Sequence, residues 1–340
     1  MGGSFAKPIE ITSVHYVGFL QKMSRMDGKV VVVTGCTTGT GFVAAKAMAS
    51  VGAHVLMLNR LSQRATDAEE AIKKDLPHAK VTTVACDLMS FKSVLAACQQ
   101  VNQLVGEQGL DVLCNNAGIM AMEDKATEDG CDIQMQTNHL SHFIMCRELL
   151  PLLEKAATLR GEARIVHHSS GARRNPSKKL EAKYFGKNGG NLGGNGNSML
   201  MGGARWKRYQ QSKLANSVMT LALHARLQAK GSKVKAFCAA PGGAATSLGV
   251  TSNADGGFSA GSPGLTSWVL KQIAQSAEDG TLPLLTCCVS PEAMSGDMWE
   301  PAGGMKGPAK KTPHGKLADD TAACETLWTA SEEVCGKFPL

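Results

Sequence analysis

The chain has 340 residues, 43% of them apolar, enough for one large α/β domain with decorations. Its formal charge is +7, and its eleven cysteines are scattered with no Cys-x-x-Cys pair, which argues against a metal centre and for a reduced setting. No apolar run approaches the roughly 20 residues that cross a bilayer, no signal-peptide layout opens the chain, and Ala6 stands where a myristoylation motif needs Ser or Thr. The expectation is a soluble intracellular protein, in cytoplasm or an organelle stroma.

Residues 1–27 read as an N-terminal extension. Val14, Val17 and Leu20 are spaced for a short amphipathic helix covering a sheet edge or meeting a partner. The body of the protein, residues 28–340, starts with Val30-Val31-Val32-Val33-Thr34-Gly35-Cys36-Thr37-Thr38-Gly39-Thr40-Gly41. Four valines in a row read as a strand buried on both faces. The glycines then turn the chain into a helical pattern from Phe42 to Ser50. Strand, glycine turn and helix start make a site for a pyrophosphate, because glycine admits the phosphates to the backbone and the helix N-terminus presents free N–H groups. An ordinary tight turn is the plainer alternative. The spacing T-G-x-x-x-G-x-G resembles that of the short-chain dehydrogenase/reductase family, which implies Gly35, Thr38, Gly39, Thr40 and Gly41 as cofactor contacts.

Ala53 to Leu58 reads as a second strand, ending at Asn59-Arg60. An acid at this strand end would bind a ribose 2′-hydroxyl, whereas arginine accommodates a 2′-phosphate. Arg60 stands here and Arg64 follows one turn later, so the expected cofactor is NADP(H). A third strand, Val81 to Cys86, ends at Asp87-Leu88, which the resemblance places beside the adenine. A fourth, Leu110 to Cys114, ends in Asn115-Asn116-Ala117-Gly118, close to a second family signature and implying cofactor contacts at Asn116, Ala117 and Gly118.

A helical pattern runs from Gln136 to Leu153. Asn138, His139, His142 and Phe143 match the family's N-H-x-x-H-F, in which the asparagine holds a proton-relaying water. The two histidines read as packing residues rather than metal ligands. A fifth strand, Ala163 to His168, ends in Ser169-Ser170-Gly171. The resemblance implies Ser170 as the catalytic serine, and the sequence leaves Ser169 open.

Tyr209 follows Ser170 by 39 residues, much further than is usual in the family. The insert, about 174–208, includes a Gly/Asn-rich run from Gly189 to Asn197 that reads as flexible. Similar long connections occur in retinol-dehydrogenase-like and protochlorophyllide-reductase-like members. From Gly171 to Arg208 there are nine bases and one acid, a balance of 9 − 1 = +8, so the rest of the chain is about neutral. A nucleic-acid partner is not expected. As a basic lid the insert suggests a substrate with a carboxylate or phosphate, and a solvated loop is the plainer reading.

Tyr209-Gln210-Gln211-Ser212-Lys213 is a Y-x-x-x-K signature, and the spacing puts both side chains on one helix face. A free tyrosine has a pKa near 10, so the chemistry asks neighbouring positive charge to favour the phenolate. The resemblance implies Asn138, Ser170, Tyr209 and Lys213 as the catalytic set, with Tyr209 and Lys213 also touching the cofactor. Lys233 to Ala239 is a sixth strand, followed by Pro241, Gly242 and Thr246, which match the family's nicotinamide-side turn. Leu248 to Ser262 fits a substrate loop. Ser295 to Trp299 reads as the final strand, Pro301 to Gly315 as a loop and Ala322 to Cys335 as a helix.

The resemblance implies a doubly wound parallel-sheet Rossmann fold and hydride transfer between NADP(H) and a carbonyl or alcohol of a bulky, mostly apolar small-molecule substrate. Homodimers are common in the family. Two alternatives stay open. One is a C=C reductase resembling protochlorophyllide reductase, whose branch carries a cysteine shortly after the fourth strand where this chain has Cys114 one step earlier. The other is a non-catalytic NADPH-binding regulator.

Overall fold

The structure is a computed structural model that describes residues 11–175, 179–196, 202–244 and 274–340. Eight strands form one sheet in the order β3-β2-β1-β4-β5-β6-β7-β8. They are β1 Val30–Thr34, β2 His54–Asn59, β3 Lys80–Ala85, β4 Val112–Asn115, β5 Ala163–His168, β6 Val234–Ala239, β7 Met298–Pro301 and β8 Ala309–Thr312. All neighbours are parallel except β7 and β8.

The valine run works as its composition implies. Val30 and Val32 join the core on one face, while Val31 and Val33 join the core on the other. Alternate residues of a strand point to opposite faces, so a strand covered on both sides must be apolar throughout. The first face is covered by α4 Phe91–Val105, α6 Ser141–Arg160, α7 Ala204–Ala229 and α9 Thr321–Cys335. The second is covered by α2 Gly39–Ser50, α3 Gln63–Asp75 and α8 Ala277–Val289. Among the described residues, no helix is long and apolar enough to cross a membrane.

Three features depart from the sequence reading. The stretch from Pro301 to Gly315 is not all loop, because it contains β8, which pairs antiparallel with β7. Its sequence, Ala309-Lys310-Lys311-Thr312, lacks the apolar signal of a buried strand because it is the sheet's last strand, and charged edges discourage unwanted pairing. The N-terminal helix α1, Tyr16–Leu20, exists, but Val14 and Val17 stay exposed at 77% and 65%. Leu20 makes the expected core contact, with Tyr16 and Phe19 rather than the two valines beside it. Asp279 of α8 sets this orientation by accepting from Ser13 Oγ (2.8 Å) and from the amides of Val14 (2.8 Å), His15 (2.9 Å) and Tyr16 (3.0 Å).

The third is the insert. Residues 189–194 run through left-handed conformations at Gly189, Gly190, Asn191, Gly193 and Gly194, a path that side chains other than glycine and asparagine resist. Asp124 accepts the amides of Leu192 (2.8 Å) and Gly194 (2.6 Å), and Arg208 donates to the Gly194 carbonyl (2.9 Å). Its glycines therefore serve a defined backbone course.

Candidate active site

The carboxyl ends of β1, β2, β4, β5 and β6 carry the motifs singled out in the sequence. At the first, Gly35 (φ +72°) and Gly39 (φ +62°) bend the chain into α2. A Cβ on Gly41 would lie 2.1 Å from the Gly35 carbonyl oxygen and 2.4 Å from Asn116 Nδ2, so helix and turn approach too closely for any side chain. Asn116 locks this corner. Its Nδ2 donates to Thr34 O (2.8 Å), while its Oδ1 accepts from Thr40 Oγ1 (2.9 Å) and meets His168 Nδ1 (2.9 Å). Thr38 is exposed at the start of α2, and Thr40 is buried. The Asn59 Oδ1 atom accepts the Cys36 amide (2.7 Å), tying the glycine turn to the end of β2. Arg60 and Arg64 both lie exposed beside it, and neither guanidinium pairs with an acid among the described residues. Asp87 is partly exposed at the end of β3, with Leu88 buried next to it.

The second half of the site is built on a break in helical geometry. Asp132 accepts the amides of Gln134 (3.1 Å) and Met135 (2.9 Å) and starts the turn α5, Ile133–Met135. Gln136–Leu140 is then π-helical before α6 resumes. Such bulges recur at functional sites because they turn a side chain out of the helical register. Here the residue is Asn138, fully buried. Its Oδ1 accepts the Ile119 amide (2.8 Å), and its Nδ2 donates to Ile119 O (3.0 Å) and Ser212 Oγ (2.8 Å). A Cβ on Gly118 would sit 3.0 Å from Lys213 Nζ and 3.1 Å from Asn138 Oδ1. The ammonium and the amide oxygen thus both border the same bare backbone position.

Lys213 Nζ donates to the His168 carbonyl (3.0 Å), and so does Asn216 Nδ2 (3.0 Å). Burial pulls the Lys213 pKa down to about 8. Its Nζ stands 5.9 Å from the centre of the Tyr209 ring. Burial raises Tyr209 above the ordinary tyrosine value, and the nearby Ser170 hydroxyl opposes the rise. The lowering expected from the neighbouring ammonium is not what this environment produces. Ser170 Oγ also accepts the Ala172 amide (3.2 Å) at the start of the 3-10 turn Gly171–Arg174. Ser169 is turned away and donates to the Lys213 carbonyl (2.6 Å).

Over Tyr209 lies a small apolar cluster. Trp206 meets the ring edge-on at 5.8 Å, with Ala121, Met120 and Ala172 around them. After β6, Gly242 (φ +63°) follows Pro241, whose carbonyl accepts from Gln275 Nε2 (2.9 Å). Thr246 and the segment Leu248 to Ser262 lie outside the described residues.

His139 and His142 are buried packing residues, as the sequence implies, and Thr34, to which the sequence assigns no role, joins them. Thr34 Oγ1 accepts the Ala117 amide (2.9 Å) and meets His142 Nε2 (3.0 Å), while His142 Nδ1 meets Asn138 O (3.1 Å). The Nδ1 position faces a carbonyl and so carries the proton, leaving Nε2 to accept from Thr34. His142 thus joins β1 to the π turn. His139 meets Ser331 Oγ of α9 (2.9 Å). The basic insert also changes meaning. Arg173 and Arg174 pair with Glu300, Lys179 with Asp320, Lys183 with Glu181, Arg205 with Glu123, and the fully buried Arg208 with Asp124 and Asp132. Most of those acids come from outside the segment, so its linear charge is not a surface field. Lys178 lies outside the described residues.

A glycine turn under a helix start, facing a serine at the end of a parallel strand and a tyrosine and lysine on α7, is the arrangement of a nucleotide-dependent oxidoreductase. Comparison with known proteins agrees. Residues 29–184 match the family model for short chain dehydrogenase. A chloroplastic short-chain dehydrogenase of Brassica napus, TIC 32 A, is 30% identical over 91% of this chain and 89% of its own length. Human retinol dehydrogenase 14 is 36% identical over 66% of this chain and 64% of that protein. A crystal structure of an uncharacterized Mycobacterium paratuberculosis protein superposes with a TM-score of 0.71 at 27% identity, covering 94% of this chain and 98% of the other. The chain belongs to the short-chain dehydrogenase/reductase family of oxidoreductases, whose members use nicotinamide cofactors, and its relatives place it in the retinol-dehydrogenase-like branch.

Proposed function

We propose that the protein is an NADP(H)-dependent reductase of a carbonyl on a bulky, mostly apolar substrate, with Tyr209 as general acid. The observation that carries this reading is the convergence at one site of Lys213 Nζ, 5.9 Å from the Tyr209 ring centre, and Asn138 Oδ1, both bordering Gly118, with the turn that Ser170 starts packed through Ala172 against the Tyr209 cluster. Tyr209 is protonated at neutral pH, so it can give a proton to a carbonyl oxygen, and Ser170 can donate to the same oxygen. Lys213, at about 8, exchanges protons close to neutrality, and with Asn138 it forms the route by which Tyr209 regains its proton. When bound, the nicotinamide supplies the hydride.

The residues present fit that cofactor. Gly35, Thr38, Gly39, Thr40 and Gly41 would hold the pyrophosphate, because no Cβ obstructs the turn and the start of α2 offers amides. Arg60 and Arg64 would take a 2′-phosphate, since the Asn59 side-chain carbonyl oxygen already accepts the Cys36 amide and no carboxylate follows it. Asp87 and Leu88 would flank the adenine, Asn116, Ala117 and Gly118 the ribose side, and Pro241 and Gly242 the nicotinamide. The cluster of Trp206, Ala121, Met120 and Ala172 beside Tyr209 supports an apolar substrate, as the name of the human relative also does.

The C=C alternative lacks a thiol in the cleft. Cys114 is fully buried in β4, in the core cluster that also holds Cys288 of α8. The eleven cysteines are free and mostly buried, which supports a reducing compartment. The test is NADPH consumption against a panel of aldehydes, ketones and quinones, with Tyr209→Phe beside the parent. A loss of roughly 10²- to 10⁴-fold in the variant, with NADPH still bound, is expected. Unchanged turnover in Tyr209→Phe would remove the proton-transfer role.

A further inference from the structure

Arg173 lies three residues beyond Ser170, in the turn that Ser170 starts. Its side chain is fully buried, a position that costs heavily unless every donor is met. Its donors are met from several directions. Nη1 and Nη2 donate to Glu300 Oε1 (2.7 Å) and Oε2 (2.9 Å) in a two-pronged pair. Nε donates to the His314 carbonyl (3.1 Å). Nη1 also donates to the Ser170 carbonyl (3.2 Å), which accepts the Arg173 amide as well (3.1 Å). Glu300 sits in β7, and its Oε2 accepts from Thr312 of β8 (3.1 Å) and from Arg174. Since β6 lies between β5 and β7 in the sheet, the pair spans the end of β6 and ties the serine turn after β5 to the last two strands.

We infer that Arg173, braced by Glu300, is a positioning residue for Ser170, fixing the main chain of the turn that carries its hydroxyl. A bidentate guanidinium–carboxylate pair is suited to this because it fixes orientation as well as distance. Fixing matters because a displacement of about 1 Å in a reacting group can cost 10²-fold in rate. Lysine at this place would supply one point charge and could not hold Glu300 and the serine carbonyl in the same plane. The inference rests on the proposed roles of Ser170 and Tyr209.

The test uses the double variant Arg173→Met/Glu300→Leu, because removing both partners avoids stranding a buried charge and leaves a foldable interior. With a carbonyl that the parent reduces, kcat is expected to fall roughly 10- to 100-fold, while KM for NADPH changes by less than about twofold. The same double change placed on Ser170→Ala is expected to add no further loss, since changes acting through one group are not additive. Equal losses in both backgrounds would overturn the inference and leave the pair a structural brace alone. Crystal structures of parent and double variant decide the matter without turnover. Displacement of the Ser170 main chain and Oγ in the double variant supports the role, and an unmoved Ser170 overturns it. A parent that reduces no carbonyl contradicts the proposed function instead, and the crystallographic comparison still judges Arg173.

Discussion

The Ser169 hydroxyl donates to the main-chain carbonyl of Lys213 at 2.6 Å, while the neighbouring Ser170 hydroxyl accepts the Ala172 amide at 3.2 Å at the start of the turn packed against the Tyr209 cluster. Adjacent serines at a strand end thus have opposite duties. Ser170→Ala is expected to lower kcat by about 10²- to 10³-fold with little change in melting temperature. Ser169→Ala should cost about 1 kcal/mol of stability and leave most turnover. Turnover and thermal unfolding on both variants check this, and a reversed pattern would assign the chemistry to Ser169.

Gly41 is the tightest point of the glycine turn. Gly41→Ala puts a methyl group 2.1 Å from the Gly35 carbonyl oxygen, which is backbone and cannot swing aside. A loss of about 1–3 kcal/mol is expected, together with weakened NADPH binding. Gly196→Ala is the control, because nothing lies within 4 Å of its added carbon. It should stay within about 0.5 kcal/mol of the parent. Denaturant unfolding and NADPH titration measure both.

Arg60 and Arg64 test the cofactor preference. Each charge-assisted bond to a phosphate contributes about 1.5–3 kcal/mol, so Arg60→Ala/Arg64→Ala should weaken NADPH at least roughly tenfold and NADH hardly at all. Calorimetric titration of both cofactors reads the ratio. Equal weakening of the two would place the arginines away from the 2′-phosphate.

Lys213 makes stability depend on pH in a stated direction. Its folded pKa is about 8 against an ordinary 10.5, because burial disfavours the ammonium. Between those values the unfolded chain binds more protons than the native one, so stability rises with pH there. Relative to Lys213→Met, which cannot titrate, the parent should gain about 3 kcal/mol on going from pH 7 to above the ordinary lysine value. Unfolding free energies of both proteins at several pH values between those ends test it. A flat difference would show that Lys213 keeps its ordinary pKa in the fold.

Short-range pattern was legible where it reflects short-range physics. The valine run, the bend at Gly35 and Gly39, and the helix carrying Tyr209 and Lys213 each follow from side-chain period, glycine conformations or helical spacing within a few residues. β8 escaped because an edge strand of Lys310 and Lys311 has the composition of a loop. Charge counted along the insert misled because Glu300, Asp320, Asp124 and Asp132 neutralise it from distant segments.

From the sequence alone came the family resemblance, the parallel-sheet order of motifs and the set Asn138, Ser170, Tyr209 and Lys213 as candidates. Only the tertiary structure decided that Ser169 faces Lys213, that Thr34 and His142 join β1 to the π turn, and that Arg173 braces the serine against β7. The physical reason is chain separation. Periodicity and turn chemistry are local and are written in consecutive residues, whereas a hydrogen bond between residues 127 apart, as from Arg173 to Glu300, exists only after the sheet has brought their strands together.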